Sequence, residues 1–265
     1  VDEATGHVNE KIIRVNDSLQ TLQQLAKKHR EQFTIPFIAI TGSNGKTTTK
    51  ELIHAVLSST YKTYTTSGNL NNHIGVPLTI LKIKKDAAFA VIEMGANHLR
   101  EIEGYCTYTL PTHGLITNCG KAHLEGFGGE ANIKKGKGEL YDHLRKHNGC
   151  AFVLWDYDYL REMSAGIPHL IKYGTSNDEV AFAGQIKNQT GFLEVVISKG
   201  AAIKEIKTQL VGGYNLPNVL AAVAVGKTFS IGEDQIRSAL QNYTPSNSRS
   251  QLIEKGSNKI ILDAY

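Results

Sequence analysis

The chain has 265 residues, with 29 lysines and arginines against 25 aspartates and glutamates, and so a formal net charge of +4. This small basic excess indicates neither a nucleic-acid partner nor a membrane surface, although it suits a site for anionic substrates. The three cysteines are widely spaced and odd in number, which favours reduced thiols in a cytosolic protein over a disulfide framework. No apolar run approaches the ~20 residues that cross a bilayer, so we expect no membrane insertion.

The first predicted element is a helix over Ser18–Arg30, followed from residue 35 to about 174 by apolar runs that alternate with helical segments. The predicted strands are Ile35–Ile40, Tyr61–Thr66, Ala87–Glu93, Gly114–Asn118, Ala151–Trp155 and His169–Tyr173. The predicted helices between them are Lys46–Ser58, Val76–Leu81, His98–Tyr105, Glu130–Lys146 and Tyr157–Ala165. This alternation is typical of an α/β domain with a mainly parallel sheet, in which functional residues gather at the carboxyl ends of the strands.

From about residue 178 to 210 the pattern changes to short alternating segments. These are Val180–Ile186, Phe192–Ser198 and Ala201–Leu210, which predict a small antiparallel sheet at the edge of the main one. Helices are predicted at Leu216–Phe229 and Glu233–Asn242, and a last strand at Lys259–Leu262. The chain starts without Met and stops just after that strand, so we expect a piece of a longer protein.

The segment Thr41–Thr48, with the sequence TGSNGKTT, lies between a predicted strand and a predicted helix. A strand that turns through glycines into a helix directs backbone N–H groups at one point, where the helix dipole favours an anion. Lys46 can reach terminal phosphates, and the Thr47 hydroxyl can ligate magnesium. The usual pattern would place its first glycine at Ile40, and Gly42 supplies the early turn instead. We interpret the segment as a phosphate-binding loop in a P-loop three-layer α/β domain, with an ordinary glycine-rich turn as the alternative.

Two candidate metal ligands follow predicted strands. Glu93 ends an apolar strand, where a carboxylate beside a phosphate loop can hold the magnesium ion that bridges the phosphates. The alternative is a glutamate that faces solvent. His123 follows the strand at Gly114–Asn118, and a neutral imidazole is a competent ligand for a second divalent ion. The alternative there is a loop histidine that makes one hydrogen bond.

Lys137 lies on the apolar face of its predicted helix, in one stripe with Ile133, Leu140 and Leu144. Desolvation lowers the pKa of a lysine and favours the neutral, nucleophilic amine. Such an amine can react with carbon dioxide to give a carbamate, which is in effect a long carboxylate able to bind metal. The alternative is a lysine that reaches the surface or pairs with a buried acid.

Two pairs of asparagines are candidates for ligand contacts. Asn215 and Asn218 open a predicted helix three residues apart, and an amide suits an adenine edge because it both donates and accepts hydrogen bonds. Simple capping of the helix is the alternative. Asn71 and Asn72 lie in an asparagine-rich loop that either faces a substrate or is merely a turn.

Taken together, these stretches resemble the Mur ligases, the ATP-dependent amide ligases of peptidoglycan assembly. The resemblance covers about residues 12–265 and rests on TGSNGKTTTKEL, NLNNHIGVPLTIL, VIEMGANH, AHLEGFG, KGKGELY, GGYNLPNVLAA and LDAY. The first motif is shared across the family, whereas NLNNHIGVP, EMGANH and AHLEGFG resemble the branch that adds D-Ala-D-Ala to UDP-MurNAc-tripeptide. Arg100 departs from that branch, which usually has Gly there, so the shape of the local loop is open.

The resemblance implies a division of the chain into three parts. Residues 1–34 would be a remnant of an N-terminal domain and linker, and residues 249–265 the start of a C-terminal domain. Residues 35–248 would be the central ATP-binding domain, with the small antiparallel sheet at 178–210. A piece of this kind is expected to be inactive by itself.

The resemblance also implies a role for each matching residue. ATP phosphates would be bound by Gly42, Ser43, Asn44, Gly45, Lys46, Thr47, Thr48 and Arg249. The first of two magnesium ions would be held by Thr47 and Glu93, and the second by His123 and a carbamylated Lys137. Adenine would be contacted by Asn215 and Asn218, the ribose by Asp263, and the UDP-linked substrate by Asn71 and Asn72. Lys46, Lys137 and His123 would then be the catalytic residues.

The implied reaction transfers a phosphoryl group from ATP to the terminal carboxylate of UDP-MurNAc-tripeptide, and the D-Ala-D-Ala amine attacks the acyl phosphate. A monomer in the bacterial cytoplasm is expected. The alternatives are another Mur ligase, a ligase similar to folylpolyglutamate synthase, or a nucleotide-binding module without catalysis. A GTPase-like switch would predict a base-recognition motif such as N-K-x-D, and the sequence has none.

Overall fold

The computed structural model of the chain describes residues 11–120, 124–176, 178–245, 251–255 and 258–262. Within these residues the strands are β1 (Phe37–Thr41), β2 (Thr63–Thr65), β3 (Phe89–Glu93), β4 (His113–Ile116), β5 (Cys150–Leu154), β6 (His169–Gly174), β7 (Phe182–Asn188), β8 (Phe192–Lys199), β9 (Ile206–Val211), β10 (Gln251–Lys255) and β11 (Asn258–Leu262). The α-helices are α1 (Ser18–Arg30), α2 (Lys46–Ser58), α3 (Gly75–Leu81), α4 (Glu101–Thr109), α5 (Leu124–Phe127), α6 (Glu130–Lys146), α7 (Asp158–Met163), α8 (Leu216–Thr228) and α9 (Glu233–Asn242).

Nine of these strands form one sheet, in the order β2-β3-β1-β4-β5-β6-β7-β8-β9. The pairings from β2 to β7 are all parallel. The central strand β1 is buried along its whole length, as expected of a parallel strand covered by helices on both faces. The α/β fold with a mainly parallel sheet is therefore confirmed.

The antiparallel strands β7, β8 and β9 continue the main sheet. Strand β7 pairs in parallel with β6, through Tyr173 with Phe182 and Gly174 with Ala183, and then in antiparallel with β8. An alternating apolar pattern indicates hairpins, but it does not say which strand the first hairpin lies beside. The structure supplies that neighbour. Strand β9, which precedes α8, therefore belongs to the same sheet as β1, which precedes the phosphate loop.

Helix α8 packs closely against α2. Its residues from Leu216 to Gly226 are nearly all buried, which explains why the segment is apolar on every side. A β-carbon on Gly226 would lie 2.7 Å from Cγ1 of Val56 in α2, so the glycine permits the close approach of the two helices. This packing brings the first residues of α8 next to the first turn of α2.

Several local features differ from the predicted elements, among them the strand predicted from Ala201, which begins at Ile206 as β9. Helix α4 begins at Glu101 rather than His98, because the Glu101 carboxylate accepts the N–H groups of Asn97 and His98 and holds them in a turn. Helix α5 is one turn long, too short to give a periodic pattern. The last predicted strand has an antiparallel partner, β10. Within the described ranges, no helix has the length and apolarity required to cross a membrane.

Candidate functional site

The turn between β1 and α2 has the backbone conformation of an anion-binding loop. Gly42 has φ +140° and Gly45 has φ +80°, values that a residue with a β-carbon adopts only with strain. Gly45 is the N-cap of α2, and no side chain caps the first turn of that helix. The first turn of α2 therefore offers its N–H groups to a bound anion at the positive end of the helix dipole.

Residues at the end of β4 hold the loop in place. The Asn118 carbonyl accepts the Ser43 N–H at 2.9 Å, and the Asn118 side-chain amide makes two bonds of 3.1 Å with the main chain of Asn44. The Thr117 hydroxyl donates to the Asn44 carbonyl at 2.6 Å. Our sequence analysis missed Thr117 and Asn118. Their position at the carboxyl end of a strand beside β1 is a signal that would have found them.

The two asparagines at the start of α8 link that helix to α2. Thr49 Oγ1 donates to Asn218 Oδ1, Asn218 Nδ2 donates to Asn215 Oδ1, and each distance is 2.9 Å. Asn215 Nδ2 in turn donates to the Val211 carbonyl at 2.9 Å. The Asn215 side chain does not cap α8. Both amides are buried and line the wall of the pocket described next, so the assignment of Asn215 and Asn218 to adenine remains a prediction.

A pocket of about 950 Å³ extends from the phosphate loop to the start of α8. This volume is within the range of small-molecule and cofactor sites. Its lining also includes Asp156, Tyr157, Tyr159 and Tyr214, and the rings of Tyr157 and Tyr159 stack with centroids 5.3 Å apart. The sequence pattern predicted Tyr157 and Tyr159 only as part of a helix, although they follow the carboxyl end of β5. The pocket therefore combines residues of the phosphate loop with aromatic side chains.

The Glu93 carboxylate is buried at the end of β3, beside the first turn of α2. Thr47 Oγ1 donates to Glu93 Oε1 at 3.1 Å, and Asn71 Nδ2 donates to the same oxygen at 2.8 Å. Glu93 Oε2 is buried and accepts no hydrogen bond from the described residues. An orphaned carboxylate oxygen beside a hydroxyl fits a hard divalent cation such as Mg²⁺.

No three His, Cys, Asp or Glu side chains cluster as a metal site in the part of the chain that the structure describes. A cation at Glu93 would therefore complete its shell with the Thr47 hydroxyl, phosphate oxygens and water, as magnesium sites commonly do.

Lys46 points back onto its own loop. Its Nζ donates to the Ser43 carbonyl at 2.9 Å, and the residue is largely buried. A phosphate bound at the start of α2 would lie within reach of this ammonium. Thr48, the last residue of the predicted phosphate loop, is buried in the same turn of the helix.

Lys137 is buried on the inner face of α6, with only 2% of its surface exposed. Its Nζ donates to the Ala96 carbonyl at 2.8 Å and lies 5.1 Å from the centre of the Phe127 ring. Burial lowers the pKa of Lys137 to about 8, and the nearby charge of Lys46 acts in the same direction. The nearby Glu101 and Glu139 act in the opposite direction, so the net effect is a larger neutral fraction of the amine than an exposed lysine has.

The remaining predicted residues divide into two groups. Asn72 is exposed, and its Oδ1 accepts the N–H groups of Ile74 and Gly75 at the start of α3. Its role toward a substrate stays a prediction. His123, Arg249 and Asp263 lie outside the described residues, and their assignments also stay predictions.

Residues 40–226 match the family described as the Mur ligase middle domain. The chain is 35% identical over 259 residues to the UDP-N-acetylmuramoyl-tripeptide–D-alanyl-D-alanine ligase of Bacillus subtilis, covering 97% of this chain and 55% of that relative. It thus spans about half the length of the enzyme to which it is similar.

Two solved structures have the same fold. The MurF ligase of Thermotoga maritima in complex with ADP superposes with a TM-score of 0.87 at 28% identity, covering 100% of this chain and 61% of the other. MurF of Acinetobacter baumannii superposes with a TM-score of 0.86 at 30% identity, covering 98% and 58%. One of these two structures holds a nucleotide, ADP.

Proposed function

The chain belongs to the Mur ligase family, and from this premise we propose that it is the ATP-binding part of an enzyme that joins D-Ala-D-Ala to UDP-MurNAc-tripeptide. The γ-phosphoryl group of ATP passes to the terminal carboxylate of the tripeptide, which gives an acyl phosphate and releases ADP. The D-Ala-D-Ala amine then attacks the carbonyl carbon of the acyl phosphate, the new C–N bond forms, and phosphate leaves. The observation that carries the proposal is the buried Glu93–Thr47 pair beneath the phosphate loop.

The residues of the loop bind and orient the phosphates. The N–H groups around Gly45 and the first turn of α2 receive phosphate oxygens, and Lys46 exchanges its Ser43 carbonyl for a phosphate. Glu93 and Thr47 would hold magnesium, which would supply positive charge to neutralise the transferring group. We retain Asn215 and Asn218 for adenine, Arg249 for phosphate, Asp263 for ribose, and Asn71 and Asn72 for the UDP-linked substrate.

We propose that Lys137 acts as a carbamate that holds a second magnesium together with His123. The neutral amine attacks carbon dioxide, an N–C bond forms and the nitrogen releases one proton. The carbamate nitrogen keeps one N–H group, which the Ala96 carbonyl is placed to accept. Burial of the amine supports this chemistry, because desolvation and the charge of Lys46 lower its pKa more than the nearby Glu101 and Glu139 raise it.

The carbamate is tested with ¹³C-labelled bicarbonate and ¹³C NMR. The wild-type protein should show a carbamate resonance that Lys137→Met removes. Lys135→Met is the matched control, because Lys135 is an exposed lysine on the same helix and should leave the resonance in place. A wild-type spectrum without the resonance at saturating bicarbonate contradicts the proposal.

We further propose that residues 35–248 form the central domain, flanked by the start of a C-terminal domain and the end of an N-terminal one. A monomer in the bacterial cytoplasm completes the proposal. Gel filtration coupled to light scattering tests the monomer.

The activity is tested on the longer enzyme that contains this chain, by measuring phosphate release with ATP, UDP-MurNAc-tripeptide and D-Ala-D-Ala. Release should require all three compounds and should fall at least ~100-fold in Glu93→Gln, since a metal-holding carboxylate is lost. Release with a folate and glutamate instead would favour the folylpolyglutamate synthase alternative. Nucleotide binding without substrate-dependent release would favour a module without catalysis.

A further inference from the structure

We infer that Asn71 is a positioning residue that fixes which oxygen of the Glu93 carboxylate faces the metal ion. The inference rests on the proposed magnesium site at Glu93. Glu93 Oε1 accepts two hydrogen bonds, from Asn71 Nδ2 at 2.8 Å and from Thr47 Oγ1 at 3.1 Å. Glu93 Oε2 accepts none from the described residues. A carboxylate held by two donors on one oxygen presents the other oxygen in a fixed direction, which is how outer-shell partners orient metal ligands.

The Asn71 amide is itself held in place. The Asn71 carbonyl accepts the Gly95 N–H at 2.7 Å, so its main chain is bonded to the turn that follows Glu93. A β-carbon on residue 95 would lie 2.9 Å from Asn71 Oδ1 and 3.2 Å from Asn71 Nδ2. The glycine at position 95 therefore leaves the space that the Asn71 amide occupies.

The main chain of Glu93 is held by the same segment. The Glu93 N–H donates to Thr66 Oγ1 at 3.0 Å, and Thr66 is fully buried directly after β2. The Thr66 carbonyl accepts a hydrogen bond of 2.6 Å from Nζ of Lys50, which is also fully buried. Thr66 thus fixes the backbone of Glu93, and Asn71 fixes its carboxylate. Lys50 connects this segment to α2, the helix that carries Thr47.

This arrangement assigns Asn71 a role in addition to the contact with the UDP-linked substrate proposed above. Loss of an outer-shell partner typically lowers metal affinity by 10–100-fold while the ligand itself remains. Loss of a group that only contacts the UDP-linked substrate would leave metal affinity unchanged when that substrate is absent. Metal binding measured without the UDP-linked substrate therefore separates the two roles.

The experiment titrates Mn²⁺ by electron paramagnetic resonance, in the presence of a non-hydrolysable ATP analogue and without the UDP-linked substrate. Asn71→Ala should weaken Mn²⁺ binding by about 10–100-fold, while affinity for the analogue without metal stays unchanged. Gly95→Ala should weaken it in the same way, because its methyl group displaces the Asn71 amide. Asn69→Ala is the matched control, since Asn69 is an exposed residue of the same loop and no bond between it and Glu93 is recorded among the described residues.

Three results decide the matter, with thermal melting used to confirm that each variant is folded. If Asn71→Ala and Gly95→Ala, both folded, bind Mn²⁺ as tightly as wild type, the inference is overturned while the proposed function stands. If Asn71→Ala does not fold, Gly95→Ala decides alone. If wild type itself shows no analogue-dependent Mn²⁺ binding, the proposed magnesium site fails instead, so the two failures are distinct.

Discussion

A β-carbon on Gly42 would lie 2.0 Å from Oγ1 of Thr117, so the first turn of the phosphate loop packs directly against the end of β4. The same threonine hydroxyl donates to the Asn44 carbonyl on the other side of the turn. The Thr117 hydroxyl therefore contacts both sides of the turn and holds the phosphate loop against the end of β4.

The glycine at position 42 should be essential for nucleotide binding. Gly42→Ala combines an unfavourable φ of +140° with a clash at Thr117, so we expect at least a ~100-fold loss of ATP affinity and about 2–4 kcal/mol of lost stability. Isothermal titration calorimetry and urea unfolding measure the two effects. Gly104→Ala is the control, because a β-carbon there meets no atom within 4 Å and α4 should become slightly more stable. Wild-type affinity in Gly42→Ala would contradict the packing described here.

The Asn218 amide should support binding of phosphate as well as adenine. A β-carbon on Gly45 would lie 2.9 Å from Asn218 Oδ1, which also accepts the Thr49 hydroxyl, so Asn218 contacts the loop itself. Asn218→Ala leaves Thr49 and Asn215 without that partner, which costs about 1–3 kcal/mol. We expect roughly a 10-fold loss of affinity for ATP and for inorganic tripolyphosphate alike, measured by calorimetry. A loss confined to ATP would instead assign Asn218 to the base alone.

Arg100 should be a site where glycine stabilises the protein. It has φ +69°, a left-handed conformation that costs a residue with a β-carbon about 1 kcal/mol. Its N–H donates to Glu139 Oε1, and this bond does not need the arginine side chain. Arg100→Gly should therefore raise the free energy of unfolding by about 1 kcal/mol, measured with urea. Arg100→Ala keeps the β-carbon and should give no such gain.

His113 should make the protein sensitive to acid. Burial, followed by the charge of His169, lowers its pKa from 6.5 to about 4, so the unfolded chain binds a proton at this residue before the folded protein does. The neutral imidazole contributes roughly 3 kcal/mol to the free energy of unfolding above pH 6.5. This contribution is lost as the pH falls towards 4. His113→Phe should flatten the dependence of the melting temperature on pH across this window. The exposed His73→Gln serves as the control, and an unchanged slope in His113→Phe would count against the prediction.

Local patterns predicted most of the fold because each element carries its own signal. Helix α2, for example, begins at Lys46 as predicted, since the glycine turn before it and the apolar spacing after it agree. Helix α4 was misplaced because Glu101 uses its side chain to hold the preceding residues in a turn. Whether Glu101 forms these hydrogen bonds depends on the position of its side chain, which the spacing of apolar residues in the sequence does not indicate.

The contents of the site were predictable where chemistry follows a strand end, as at Glu93. Its hydrogen bond from Asn71 was not, since Asn71 lies in a loop that precedes α3 and β3 in the chain. The hydrogen bonds among Asn215, Asn218 and Thr49 depend on α8 packing against α2, which arises from the sheet order. Long-range contacts of this kind are properties of the fold rather than of any one segment.

The hydrogen bond between Lys46 Nζ and the Ser43 carbonyl bears on which ligands the pocket binds most tightly. A ligand without a phosphate near this ammonium leaves the bond intact and gains nothing from the lysine. A ligand with a phosphate there offers the ammonium an anionic acceptor, which attracts it more strongly than the neutral carbonyl of Ser43 does. We therefore expect Lys46 to add affinity only for ligands that carry a phosphate near the start of α2, so the resting loop already favours a phosphorylated ligand over an unphosphorylated one.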